Sequence, residues 1–395
     1  MLLAHSGYFA VVLAPGGINQ GFAAFRIGPI GNLVYSFCEL AVPMFFAMSA
    51  YLIGRPFVLA FVFGDKRPST RTYARHRFWR IVPVFWAGIV AALIVCDHFG
   101  AGPLDLLAIF GFAQTYHNSL FASLAIGQAW TLDVEIAFYV IVPLLFWVAF
   151  GLGRRATPKQ RLVWFVVVLS GMFFASVWAR GHGPSLSGGW VASPPAMICM
   201  FIPGLLLAAL EIVVRPWAER SQRQARRIAR LLAAGFAACA LVYALLAPWS
   251  GPPSLLYDVT GKRTFFVITA TALLVGWLLL RQWSGGGTPR VLDQRWSHWL
   301  GARSLSFYIL HQAVLLKLNP WVIDQHSVRK GFLVFFSLGL LITTVAAAAL
   351  YWLVEGRFMV GGTRDQRRRA AAPPTAPAAP IPIASVAAEQ GSAAS

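Results

Sequence analysis

A histidine and two acidic residues lie within apolar stretches of this 395-residue chain, where ionisable groups are costly and are candidates for function. His5 lies in the opening apolar run, and Asp133 and Glu135 lie at the start of a later one. An imidazole titrates near neutrality and can take a proton from a hydroxyl, as acyl or glycosyl transfer to an alcohol requires. A histidine in an apolar run is also a common packing residue, so from its surroundings alone His5 stays a candidate base.

Asp133 and Glu135 are two residues apart in the segment Gln128–Glu135. On a helix this spacing points the two side chains in different directions, so we do not expect a carboxylate dyad. We expect one acid to line the protein interior and the other to cap the helix start, where negative charge is favoured.

A basic cluster, residues 71–80, lies where another apolar run begins. Arg77 and Arg80 are three residues apart and therefore share a helix face. Guanidinium groups bind phosphate oxygens through two parallel hydrogen bonds, so this pair is a candidate anion site. Topological positive charge is the alternative interpretation. It explains Arg67 and Arg71 fully, and it explains a paired Arg-x-x-Arg that runs into the membrane less well.

The remaining ionisable residues at membrane depth have structural interpretations. Glu39 can pair with a neighbouring helix, and Arg303 and Glu355 lie at span ends, where long side chains reach the interface. His5 and His311 lack a set of further ligands, so we predict no metal site.

The elements that must hold these residues are transmembrane helices. Hydrophobic residues make up 58% of the chain and charged residues 12%, about half of the roughly 25% charged content of soluble domains. This composition argues against an ordinary soluble enzyme, a disordered chain or a disulfide scaffold. The net charge of +19 could indicate nucleic-acid binding, but basic cytoplasmic loops explain it in a membrane protein, and we predict no nucleic-acid partner.

Nine apolar stretches approach the roughly 20 residues that a helix needs to cross a bilayer. They are 33–53, 79–96, 126–150, 162–179, 195–214, 229–248, 264–281, 300–318 and 331–354. Residues 1–14 form a tenth, shorter stretch, which we interpret as a truncated first span. Residues 104–116 are typical of a re-entrant or interfacial segment. The sequence thus predicts an all-α polytopic membrane protein with about ten transmembrane helices.

Basic residues are unevenly distributed between the two sides of this arrangement. If the first span runs outward, most of the 33 Lys and Arg residues fall on one side. Because positive charge collects in cytoplasmic loops, both termini are predicted to be cytoplasmic. We predict a membrane domain over 1–360 and a basic, then Ala/Pro-rich, disordered tail over 361–395. The start of the tail, Arg367-Arg368-Arg369, is expected to contact anionic membrane lipid.

Six segments carry spacings that recur together in one known family. They are Leu2-Leu3-Ala4-His5-Ser6, Pro43 to Ala50 with Phe45, Phe46 and Ser49, Arg77-Phe78-Trp79-Arg80 with Pro83, Trp130 to Glu135 with Phe138, Tyr139 and Pro143, Ser304 to His311 with Tyr308, and Glu355. In this order, over residues 1 to about 360, they resemble the acyltransferase-3 family of integral membrane acyltransferases.

The resemblance implies an O-acyltransferase in the plasma membrane, expected to be bacterial. Such enzymes transfer an acyl group, usually acetyl, from an acyl-coenzyme A such as acetyl-CoA, a co-substrate and not a permanently bound cofactor. The acceptor is a hydroxyl of a glycan, glycolipid or macrolide-like molecule.

The resemblance also implies roles for single residues. His5 would be the general base, and Glu135 would orient or charge-stabilise it, both in the outer half of the membrane. Arg77 and Arg80 would bind the donor phosphates. The residues expected to contact the substrates are Ser49, Trp130, Tyr308 and His311.

The chain departs from the family pattern in three places. It begins four residues before His5, whereas the family's first helix carries an arginine eleven residues before its histidine, so we expect the true first helix to begin upstream. Ala50 replaces the usual glycine, and Asp133 replaces a common serine, so donor or acceptor geometry is expected to differ. The alternative function is a proton-coupled transporter or exporter, with His5 and Glu135 as a proton relay.

Overall fold

Helices account for all the regular structure in the ranges that the computed structural model describes, which are 40–96, 102–116, 126–182, 190, 192–246, 262–323 and 328–358. In chain order they are α1 (Ala41–Phe63), α2 (Thr70–Val95), α3 (Pro103–Phe110), α4 (Trp130–Leu152), α5 (Pro158–His182), α6 (Pro194–Met197), α7 (Ile202–Arg220), α8 (Gln222–Leu246), α9 (Lys262–Trp283), α10 (Arg295–Ala302), α11 (Ser304–Ile323) and α12 (Val328–Leu350). A π-helical turn, Tyr351–Glu355, continues α12.

Eight helical stretches in these ranges are long and apolar enough to cross a membrane, and α11 adds a shorter apolar stretch. Each of the nine predicted spans from 33–53 onward overlaps one of these helices. The prediction of an all-α polytopic membrane protein is therefore confirmed. The predicted tenth span at 1–14, which contains His5, and the predicted tail from 361 lie outside the described residues.

The first described span is longer than predicted. We predicted that it ends at residue 53, but α1 continues to Phe63. The predicted end is wrong because the charged residue Arg55 interrupts the apolar run there. In the structure Glu211 of α7 binds the Arg55 guanidinium through two contacts of 2.5 and 2.7 Å, so the charge is neutralised within the helical region.

The start of α2 places the basic cluster on the helix itself. The Ser69 hydroxyl accepts a hydrogen bond from the Thr72 amide at 3.3 Å, as an N-cap residue does. The helix therefore begins at Thr70, nine residues before the predicted span. As a result Arg77 and Arg80 lie two to three turns inside α2, where their side chains can reach neighbouring helices.

Helices α1 and α7 cross at very short range. A Cβ added to Gly204 of α7 would lie 2.0 Å from the Ala47 carbonyl oxygen of α1, so only glycine permits this approach. Near the crossing, the Phe201 ring stacks between Phe46 of α1 and Phe138 of α4, with ring centroids 4.4 and 4.1 Å apart. This packing fixes the helical turn of α4 that carries Glu135 against α1.

Candidate active site

The Glu135 carboxylate is buried, with 2% of the residue exposed, and two hydroxyl groups bind it. The Ser49 hydroxyl of α1 donates to Glu135 Oε1 at 2.9 Å. The Tyr139 hydroxyl, one turn further along α4, donates to the same oxygen. Two residues singled out from separate sequence segments, Ser49 and Glu135, are therefore in direct contact.

The Arg77 guanidinium packs against the ring of Tyr139, whose hydroxyl binds this carboxylate, and Arg80 follows about one turn later on α2 and is exposed. The Arg77 guanidinium carbon lies 5.5 Å from the centre of the Tyr139 ring and 5.9 Å from that of Tyr73, within cation–π range. Its Nε is buried and has no hydrogen-bond partner. Within the described ranges neither Arg77 nor Arg80 forms an ion pair with a carboxylate. Both therefore keep hydrogen-bonding capacity for an anion.

Tyr73 holds this part of the site in place, and the sequence-based reasoning did not include it. Pro143 has no amide N–H, so the Tyr139 carbonyl one turn earlier loses its intrahelical donor. The Tyr73 hydroxyl of α2 donates to that carbonyl at 3.1 Å. The Tyr139-x-x-x-Pro143 spacing was the available signal, because it identifies a carbonyl that needs a partner.

A second polar group joins α11 to the turn before α4. The Tyr308 hydroxyl donates to the Gln128 carbonyl and contacts the Thr131 hydroxyl, both at 2.6 Å. The Gln128 side chain donates to the carbonyls of Tyr308 and Ile309 at 3.2 and 2.7 Å. The charge of Glu135 acts on Tyr308, so this group adjoins the carboxylate site. The sequence analysis assigns no role to Gln128.

His311 is completely buried one turn after Tyr308. Its Nδ1 lies 2.6 Å from the Tyr308 carbonyl oxygen. A carbonyl only accepts, so Nδ1 carries the proton, and in the neutral ring Nε2 is the acceptor nitrogen. Trp130, the other predicted substrate contact, is half-buried and packs against the hydrophobic core.

Asp133 has a different partner from Glu135, which confirms that the two acids do not form a dyad. Its Oδ2 accepts the backbone N–H of Thr115 at 2.9 Å. This bond joins α4 to the short segment after α3, the region predicted to be re-entrant or interfacial. Asp133 therefore has a structural bond here, whereas Glu135 binds side chains from the core.

The chain matches the Acyltransferase domain family model over residues 1–352. It belongs to the acyltransferase-3 family. No curated protein and no solved structure matches it significantly. Membership makes the chain a multi-pass membrane transferase that acts on acyl groups other than amino-acyl groups. It implies an acyl donor and a hydroxyl acceptor.

The described part of the acyltransferase-3 chain thus contains most of the predicted site. Ser49 contacts Glu135, and Arg77 packs against Tyr139, which also binds Glu135. Tyr308 contacts Thr131, one turn before Glu135 on α4, and Arg80 is exposed about one turn after Arg77. The predicted base, His5, lies outside the described residues. In the same described part, no group of three or more His, Cys, Asp or Glu side chains is arranged to hold a metal ion.

Proposed function

We propose that this protein transfers an acyl group, with acetyl as the first candidate, from acyl-CoA to a hydroxyl of a carbohydrate, lipid-linked sugar or small secreted molecule. In this reaction the acceptor oxygen forms a bond to the acyl carbon and the carbon–sulfur bond breaks. The hydroxyl proton passes to a base, and coenzyme A leaves as its thiol. We place the reaction in the plasma membrane of a bacterium, with residues 1–360 as the catalytic domain.

The observation that carries the proposal is the buried carboxylate of Glu135 with Arg77 against its partner Tyr139, since neither Arg77 nor Arg80, about one turn further along α2, forms an ion pair with any described carboxylate. Coenzyme A carries several phosphate charges, and guanidinium groups bind such oxygens strongly. Arg77 and Arg80 are the proposed phosphate ligands, on the side that the charge bias predicts to be cytoplasmic. A donor bound there would place its thioester towards Glu135.

The remaining roles follow from the chemistry of acyl transfer. His5 is the proposed general base that removes the acceptor proton. Glu135 is the proposed partner that orients His5 and stabilises its positive charge, while Ser49 and Tyr139 hold the carboxylate. Tyr308, His311 and Trp130 are the proposed acceptor contacts, alongside Ser49.

The test uses purified protein in lipid nanodiscs with radiolabelled acetyl-CoA. Donor binding and release of the coenzyme A thiol are measured for wild type, His5→Ala and Arg77→Gln/Arg80→Gln. We expect the double arginine variant to bind acetyl-CoA at least tenfold more weakly, since each lost charge-assisted bond is worth about 1.5 kcal/mol or more. His5→Ala should bind normally but turn over slowly.

The matched control is Arg71→Gln/Arg75→Gln, which removes two exposed charges from the same helix. It should bind acetyl-CoA as wild type does, because these arginines lie outside the site. Equal losses in both double variants would indicate a general effect of positive charge, and failure of the wild type to bind acetyl-CoA would refute the proposed donor.

A further inference from the structure

Arg303, at the junction of α10 and α11, is held in an unusual arrangement. Its guanidinium carbon lies 4.1 Å from the centre of the Trp299 ring and 4.4 Å from that of the Tyr351 ring. Both rings therefore contact the guanidinium within cation–π range. One Nη1 proton is used, because it donates to the Trp299 carbonyl at 2.9 Å.

The opposite edge of this guanidinium has no acceptor among the described residues. Arg303 Nε is buried and without a hydrogen-bond partner, and no described carboxylate forms an ion pair with the group. The Nε–Nη2 edge is the one that binds phosphate or carboxylate oxygens through two parallel bonds. A buried guanidinium nitrogen without an acceptor is suited to an anionic ligand.

The same region contains Arg80, which connects Arg303 to the proposed donor site. Arg80 and Arg303 both act electrostatically on the buried carboxylate of Glu355, while Arg80 and Arg77 act on that of Glu135. Glu355 itself accepts a hydrogen bond from the Ser306 hydroxyl at 2.5 Å. Helix α2, which carries Arg77 and Arg80, packs against α11 and against the π-helical turn, so Arg303 and these two arginines lie on elements that are in contact.

Contacts between α2 and the end of α12 bring the helix of Arg80 next to the segment that Arg303 contacts. The Trp79 ring stacks on Phe358 with centroids 5.0 Å apart, next to Arg80 in the sequence. Tyr351, which covers one face of Arg303, begins the π-helical turn that ends at Glu355. Such turns are rare and often mark functional sites.

We propose that Arg303 is a third cationic ligand for the nucleotide end of the acyl donor, where it binds a phosphate through its Nε–Nη2 edge. This inference rests on the proposed function and extends it. The two ring contacts and the bond to the Trp299 carbonyl restrain the guanidinium before the donor arrives, so little side-chain freedom is lost when the phosphate binds. We assign Arg303 to the nucleotide end because a guanidinium binds charged phosphate oxygens, whereas the thioester carries no charge.

The test compares acetyl-CoA with S-acetyl-pantetheine, a thioester that lacks the nucleotide phosphates. Both are assayed with wild type, Arg303→Gln and Arg303→Lys in nanodiscs. We expect Arg303→Gln to weaken acetyl-CoA binding about tenfold or more and to leave kcat/KM for S-acetyl-pantetheine near the wild-type value. Arg303→Lys should fall between the two, because it keeps the charge but not the planar fork.

Arg295→Gln is the matched control, since it removes an exposed arginine from α10 in the same region. It should bind acetyl-CoA as wild type does. If Arg303→Gln reduces the use of both thioesters equally, Arg303 only supports the structure and the inference is wrong. It is also wrong if the loss occurs only in nanodiscs that contain anionic lipid, because Arg303 then binds a lipid phosphate.

Failure of this inference can be separated from failure of the proposed function. If Arg77→Gln/Arg80→Gln loses acetyl-CoA binding while Arg303→Gln retains it, the donor site stands without Arg303. If wild type itself binds no acetyl-CoA, the proposed function and the inference both fail.

Discussion

Two buried carboxylates, Glu135 in α4 and Glu211 in α7, have similar exposure, 2% and 3%, but different partners. Glu211 accepts two bonds from Arg55, one from Arg215 at 3.1 Å and one from the Tyr51 hydroxyl at 2.8 Å. Among the described residues Glu135 accepts only from hydroxyl groups, although the Arg77 guanidinium packs against the ring of Tyr139, one of its two donors. Glu211 is thus ion-paired with Arg55 and Arg215, whereas Glu135 forms no ion pair with a described arginine.

This difference separates a structural ion cluster from a site that can act on a ligand. In the Glu211 cluster Arg215 also binds Glu219 at 2.8 Å, so two carboxylates balance the charges of Arg55 and Arg215. It joins α1 to α7, the same helices that cross at Gly204. Around Glu135 the cations keep free donors, which is the condition for binding an anion. Whether the guanidinium donors are already bonded to carboxylates therefore distinguishes these two sites better than the burial of the carboxylates does.

The largest effect on stability is expected for Glu211→Gln. Loss of the negative charge leaves Arg55 and Arg215 partly uncompensated, which should lower the free energy of unfolding by about 2 to 3 kcal/mol. This is less than a fully buried pair would lose, because 34% of the Arg55 side chain is exposed. Thermal unfolding in detergent micelles measures the change.

A double variant, Arg55→Met/Glu211→Met, is the matched control for that prediction. Apolar side chains of similar length replace both charges, so most of the stability should return. Equal unfolding temperatures for the single and double variants would contradict a specific ion-pair contribution. Thioester turnover per folded molecule should stay near wild type in both variants, because this cluster is not part of the proposed site.

For Glu135→Gln we expect the reverse pattern. The amide oxygen still accepts from Ser49 and Tyr139, so the unfolding temperature should change little. Acetyl-CoA turnover should fall roughly 100-fold, the lower range for loss of acid–base function. Asp133→Asn is the control on the same helix, and it should reduce turnover much less because its amide oxygen can still accept from Thr115. If Glu135→Gln unfolds at a clearly lower temperature than wild type and its folded fraction turns over acetyl-CoA normally, the Glu135 group is a structural cluster like that of Glu211.

The helical architecture was predictable from the sequence because the bilayer sets a minimum apolar length and most spans meet it without interruption. Asp133 and Glu135 were correctly separated by helix geometry alone. The contact between Ser49 and Glu135 was not predictable from spacing, since 86 residues separate them, and only the family resemblance selected both. Their proximity depends on how α1 packs on α4, which a single sequence does not encode in a readable pattern.

The Arg55–Glu211 cluster shows what sequence reasoning missed. The predicted first span ends before Arg55, and Glu211 is absent from the acidic residues that the sequence analysis places within the membrane. A signal was present, because Tyr51 and Arg55, and separately Glu211 and Arg215, have the i,i+4 spacing that places side chains on one helix face. The spacing identifies one polar face on α1 and one on α7. It does not show that these faces meet, because the pairing of the two helices depends on the close packing at Gly204.

The smallest predicted effect concerns the support of the Glu135 site by Tyr73. Tyr73→Phe removes the hydroxyl that binds the Tyr139 carbonyl, which Pro143 leaves without an amide donor. We expect a loss of about 1 kcal/mol in unfolding free energy and a few-fold fall in turnover, because Tyr139 also holds Glu135.

Pro143→Ala makes this prediction specific, because an alanine at this position supplies the missing N–H to the same carbonyl. In a double-mutant cycle of Tyr73→Phe and Pro143→Ala, the tyrosine substitution should cost much less when the alanine is present, with a coupling of about 1 kcal/mol. Additive costs would mean that Tyr73 acts through packing against Phe57, whose ring centre lies 5.5 Å away, and not through the hydrogen bond. The size of the coupling therefore decides whether the Glu135 site is supported by a hydrogen bond between neutral groups, in contrast to the ion pairs of the Glu211 cluster.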